Sequence, residues 1–145
     1  MENVSNMKKD ISFKLKGIEL LDVKLMHPEN PLPTQMNYNF NISLEHRINI
    51  ENKLIVVISS IEILHEDKKI HLGLIKASCI YEISNMEEFV EKDNNEVKMP
   101  DGILTNLNSI TISTVRGIMF SQFKGTFLHN AYMPIVNPQA FEMSK

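Results

Sequence analysis

The sequence has no tryptophan and one cysteine, Cys79, so no intrachain disulfide can form and nothing points to an oxidising compartment. Its five glycines stand singly and far apart, which excludes the Gly-rich phosphate loops of both nucleotide fingerprints. HExxH and CxxC are absent, and the five histidines lack the spacing of metal ligands. Basic charge is also short. Fifteen Lys and Arg stand against eighteen Asp and Glu, a net charge of -3 with no long basic run, so no nucleic-acid partner is expected. The longest aliphatic run, Leu54 to Ile58, falls far below the ~20 residues of a membrane span. Residues 1–10 are polar and lack the apolar core of a signal peptide. These absences predict a cytoplasmic protein without membrane insertion, with a disordered N-terminus over 1–10 and a single domain over 11–145.

What is present is ordinary globular composition, 43% hydrophobic and 23% charged, with nine methionines. Methionine fills irregular cores and also lines adaptable binding surfaces. The clearest pattern lies in residues 36–50. There Met36, Tyr38, Phe40, Ile42, Leu44, Ile48 and Ile50 alternate with polar residues, which predicts a long strand with one buried and one wet face. A wet face implies an antiparallel sheet. Only His46 interrupts the apolar set; the pattern places it at the sheet rim, or else in a hydrogen bond at an interface.

A first strand is expected over 11–26, with a phase change that needs a bulge near Gly17 or near Leu20-Leu21. His27 to Pro33 is a proline-rich loop that ends it. Strands over about 53–65 and 70–83 follow, joined by the charged turn Glu66 to Lys69. The second of them shifts phase between Leu74 and Ile75, the mark of another bulge. Residues 85–99 are acidic and loop-like, with a short helical turn at Met86 to Val90. Ile103 to Lys124 is ambiguous, because Ser109 to Val115 has the β-branched content of a strand. Its length, and an apolar face of Ile103, Leu104, Leu107, Ile110, Val115 and Ile118, favour a helix with Gly125 at its C-terminal cap. The tail from Thr126 is expected to be extended. The predicted class is α+β: a four-stranded antiparallel meander followed by one long helix.

No catalytic constellation stands out, and no cofactor is called for. Cys79 lies among apolar strand neighbours and reads as core filler rather than a nucleophile. The carboxylate pairs Glu87-Glu88 and Glu66-Asp67 sit in loops beside lysines, and His65 and His71 flank a turn as solvated side chains. The expectation is a protein that is not an enzyme.

The C-terminal third carries a specific pattern. A long helix after a proline is followed by Gly125-Thr126-Phe127, then Pro134, Asn137 and Phe141, and the preceding strand ends Cys79-Ile80-Tyr81-Glu82-Ile83. Over residues 11–141 this order and spacing resemble the SecB family of export chaperones. The resemblance implies an ATP-independent chaperone subunit, assembled as a dimer or a dimer of dimers through sheet edge and helix. Its partners would be unfolded client polypeptides, held along apolar grooves between the sheet and the loops flanking the helix. It implies client contacts from Met119, Phe120, Phe123, Phe127, Tyr132 and Met133, and contact with the motor SecA through Asp22. Departures bear on that last role: the neighbouring acid is Met26 here, the acid of the last strand is Leu74, and little sequence follows Phe141 to form a second helix. SecB-like proteins also serve toxin–antitoxin pairs, so a dedicated partner of an antitoxin or other single client is an alternative, as is a small-ligand-binding α+β domain. A converging polar cavity would favour the latter.

Overall fold

The computed structural model describes residues 11–33, 36–91, 94 and 96–137, so the expectations for 1–10 and for Pro138 to Phe141 lie outside the described residues. Four strands come first, β1 (Phe13–Leu25), β2 (Tyr38–Asn49), β3 (Leu54–His65) and β4 (His71–Ile83). A 3-10 turn at Met86–Phe89 and the helix α1 (Asp101–Phe123) follow. The class is α+β, an antiparallel sheet and one long C-terminal helix, as the alternation and the period predict. Strand order within the sheet is finer than a consecutive meander: it runs β1-β4-β3-β2. β2, β3 and β4 follow one another as hairpins, while β1 pairs with β4. The connection after β1, which carries Pro28, Pro31 and Pro33 and so offers few ladder donors, crosses the ends of β4 and β3 before β2 begins.

Both candidate positions for a bulge in β1 are bulged, with register shifts between Leu15 and Gly17 and between Leu20 and Asp22. In β4 the extra residue is Leu72, because Gly73 pairs with Ile63 and His71 with Leu64. That insertion brings Leu72 and Ile75 into one cluster on the helix side despite their odd spacing.

α1 lies over β3 and β4. Its buried residues include Ile103, Leu107, Thr111, Val115, Met119 and Phe123, a row four apart throughout, with Asn108 and Ile112 beside it. The expected face is corrected at Ile110, which is 37% exposed, while Leu104 and Ile118 are only half-buried. An i±4 ridge drifts around the helix axis, and packing it onto a twisted sheet leaves residues on its trailing side in solvent. Gly125, just past the helix, has φ +79, the left-handed conformation that stops a helix cheaply only at glycine. The tail is not extended from Thr126 as expected. Residues 124–130 are turns, held by Thr126, whose hydroxyl donates to the Phe123 carbonyl at 2.6 Å and accepts from the Leu128 amide at 3.1 Å.

His46 also departs from its expected place. It does not sit at the rim: it is 6% exposed, faces the helix, and its Nε2 lies 2.6 Å from Asn108 Oδ1. Nearby, Thr111 donates to the Leu107 carbonyl at 2.8 Å and can accept from the Tyr81 hydroxyl, also at 2.8 Å. Burial pushes the Tyr81 phenol far above its ordinary value, against a smaller opposing pull from Thr111, so it stays a neutral donor. This polar seam lies between two apolar clusters, one around Ile61, Ile75 and Met119, the other around Ile55, Tyr81 and Leu107. A buried polar pair constrains register, because sliding the helix by a turn would strand both partners. Asn108→Ala is therefore expected to cost about 2 kcal/mol, and His46→Leu with Asn108→Leu less than the sum of the single changes. Urea unfolding of the four proteins measures this; a coupling energy near zero would show that the bond contributes nothing.

Candidate functional site

The proline-rich connection and the turns after α1 meet at one end of the sheet. Met26 N–H donates to the Leu72 carbonyl at 2.9 Å, which pins the start of the connection against β4. Its three prolines fix φ and bias the preceding residues to extended backbone, so the loop stands as a stiff wall. On one side of that wall lies a cavity of about 380 Å³ lined by Leu32, Met36, Tyr38, Phe127 and Asn130. On the other lies one of about 490 Å³, bounded by His65, Lys69, Ile70 and His71. Met36, Tyr38 and Phe127 give the first an apolar side and Asn130 a polar one, and the His27 ring packs 5.0 Å from Phe127. Burial raises the Tyr38 phenol above its ordinary value, which keeps that wall uncharged.

The turn over residues 124–130 splits the aromatic residues between two surfaces. Gly125 N–H donates to His129 Nδ1 at 3.0 Å, and the His129 amide donates to the Thr126 carbonyl at 3.0 Å, so the turn is tied at both ends. Leu128 enters the core, Phe127 lines the cavity, and His129 lies 6.0 Å from Phe120. Phe120 also stacks on Tyr132, with centroids 6.4 Å apart and planes 22° apart. Phe120 is 47% exposed, Tyr132 61% and Ile135 93%, so this side is an open aromatic platform ending in an aliphatic residue.

The six residues expected to contact clients therefore divide. Phe120, Phe127 and Tyr132 line the platform and the cavity, whereas Met119, Phe123 and Met133 are packed in the core directly behind them. Residues that pattern reading passed over are His27, Leu32, Met36 and Tyr38, which complete the cavity. The signal that could have marked them is a triple-proline loop running into an aromatic strand. Asp22, the expected motor contact, pairs with Lys24 at 3.6 Å and stands opposite Lys76 in the β1–β4 register, so its charge is matched locally.

Cys79 is fully buried within the sheet. Among the described residues no group of three or more His, Cys, Asp or Glu is placed to hold a metal ion. His71 bonds Glu62, and His65 Nδ1 accepts from the Asp67 amide at 3.2 Å, so each histidine serves a local contact. The Asp67 carboxyl is held below its usual range chiefly by the Lys69 amide, which makes it a turn-former. No described helix is long and apolar enough to cross a membrane.

One further apolar surface lies away from the cavities. On β1, Leu15, Ile18 and Leu20 stand opposite Tyr81, Cys79 and Ala77, in register with the helix-side core, yet with Leu21 they are 44–47% exposed. α1 covers the middle of the sheet and stops short of this edge strand.

No family model matches the sequence, and no curated protein matches it. Among solved structures the fold is similar to that of the Mycobacterium tuberculosis SecB-like chaperone in complex with a ChAD peptide from the HigA1 antitoxin, at TM-score 0.55 and 9% identity. The match covers 86% of this chain and 84% of that one, so the chain shares a SecB-like fold over most of its length.

Proposed function

We propose that this chain is a subunit of a SecB-like chaperone that holds an extended apolar segment of a dedicated client polypeptide, without ATP or covalent chemistry. The observation that carries the reading is the two-sided aromatic surface around the turn after α1. Phe127 and Tyr38 line a cavity on one side and Phe120 and Tyr132 form an exposed platform on the other. Exposed apolar surface on a rigid frame accepts unfolded segments and ignores folded proteins, which have buried theirs. A SecB-like fold whose similar structure carries a bound antitoxin peptide supports a client of that kind. In the same reading, the apolar strip on β1 is covered by a second copy of the chain, giving a homo-oligomer whose subunits meet at the sheet edge.

Light scattering of the pure protein, alone and with a reduced unfolded client, tests this. The expected result is an oligomer that captures the unfolded client and leaves its folded form free. A monomer that captures neither would overturn the reading.

A further inference from the structure

Resting on that reading, we propose that residues 133–137 are a displaceable strap that covers apolar client surface beside the Phe120–Tyr132 platform when no client is bound, with Arg116 as its latch. Met133 is buried and Val136 half-buried against the same cluster that holds Met119, Phe123, Ile112 and Val115. Pro134 and Ile135 point outward. The segment thus inserts side chains into the apolar layer much as an extended client would. Yet Met133–Val136 make no backbone-to-backbone hydrogen bond among the described residues. Their polar ties run to one side chain: Arg116 Nε donates to the Met133 carbonyl at 3.3 Å and Nη2 to the Pro134 carbonyl at 3.0 Å. Proline at 134 removes one donor that could have joined a ladder.

A segment packed by few side chains, with Met133 and Pro134 tied through one cation, belongs to the low-stability end of a fold, where local opening precedes global unfolding. Lifting it uncovers the part of the apolar layer that Met133 and Val136 cover. Client and strap then compete for one surface, and capture is slowed by the fraction of time the strap is down.

The test is Arg116→Leu, which removes both donors and keeps an apolar stem and a good helix former. Peroxide oxidation of Met133, mapped by mass spectrometry, reports strap opening without any client; stopped-flow capture of a reduced unfolded client reports the gate. Loss of two charge-assisted bonds is expected to raise both rates about tenfold, with the urea midpoint of the sheet little changed. Faster Met133 oxidation with unchanged or slower capture would overturn the strap while leaving the chaperone reading intact. Unchanged oxidation would show that Arg116 is no latch. If neither protein captures client at all, the proposed function fails and the gate fails with it.

Discussion

Gly73→Ala is expected to destabilise the protein by about 1–3 kcal/mol, and Gly73→Val by more. A Cβ at this position would stand 2.6 Å from Leu128 Cδ1, 3.2 Å from the Lys24 carbonyl and 3.5 Å from Phe123 Cζ. The Leu128 methyl could swing away in open space, but Leu128 is 1% exposed within the core, and the Lys24 carbonyl belongs to the paired backbone of β1. The missing side chain lets the turn after α1 settle onto the sheet just beyond the Leu72 bulge. Leu128 stands between Phe127 and His129, so pushing it outward disturbs both the cavity and the platform. Stability and client capture should therefore fall together. Leu128→Ala alone is expected to cost about 2–5 kcal/mol through the cavity it leaves. Combined with Gly73→Ala it should cost less than the sum, since the new methyl would occupy that cavity. Urea midpoints of the four proteins decide it. Strict additivity would mean that the two side chains do not share this space.

Gly73 also shows where sequence reading stops. The phase shift in β4 announced a bulge, because period two is strict and a break in it needs an extra residue. The glycine beside it gave no sign that a turn some fifty residues later rests there. Strands and helix were legible for the same local reason, since their periods are written in neighbouring residues. The order of strands was not, because pairing β1 with β4 depends on a connection that crosses two other strands. His46 was misplaced because its partner is Asn108, sixty-two residues away, and a lone polar residue in an apolar set looks the same at a rim as beneath a helix. Ile110 was misassigned because a periodic wheel assumes a straight face, whereas the buried row follows an i±4 ridge. In the site, aromatic content marked the right stretch of chain. It could not tell Phe120 from Phe123, which sit three residues apart on α1 and differ in exposure from 47% to 2%.

That difference fixes how the site is best tested. A charge at Phe123 enters the core and is expected to unfold the protein, so loss of capture there would say nothing about contact. Phe120→Asp with Tyr132→Asp acts on side chains about half in solvent and should shift stability by only about 1 kcal/mol, the size of the lost ring stacking. Its effect on client affinity is expected to be large. An aromatic anchor in a binding surface commonly contributes about 2 kcal/mol, or roughly 30-fold, and here two rings stack as one platform whose removal also adds two charges to an apolar surface. Titration of a reduced unfolded client into the double variant should thus show affinity at least about 30-fold weaker, with circular dichroism and the urea midpoint close to wild type. The single variants should each lose less, and their losses should not sum, because either ring alone loses its stacking partner. A folded double variant that holds the client as tightly as wild type would move the site off the platform. The cavity under Phe127 would then be the remaining candidate, and Phe127→Ala, which opens that cavity without adding charge, would be expected to weaken capture instead.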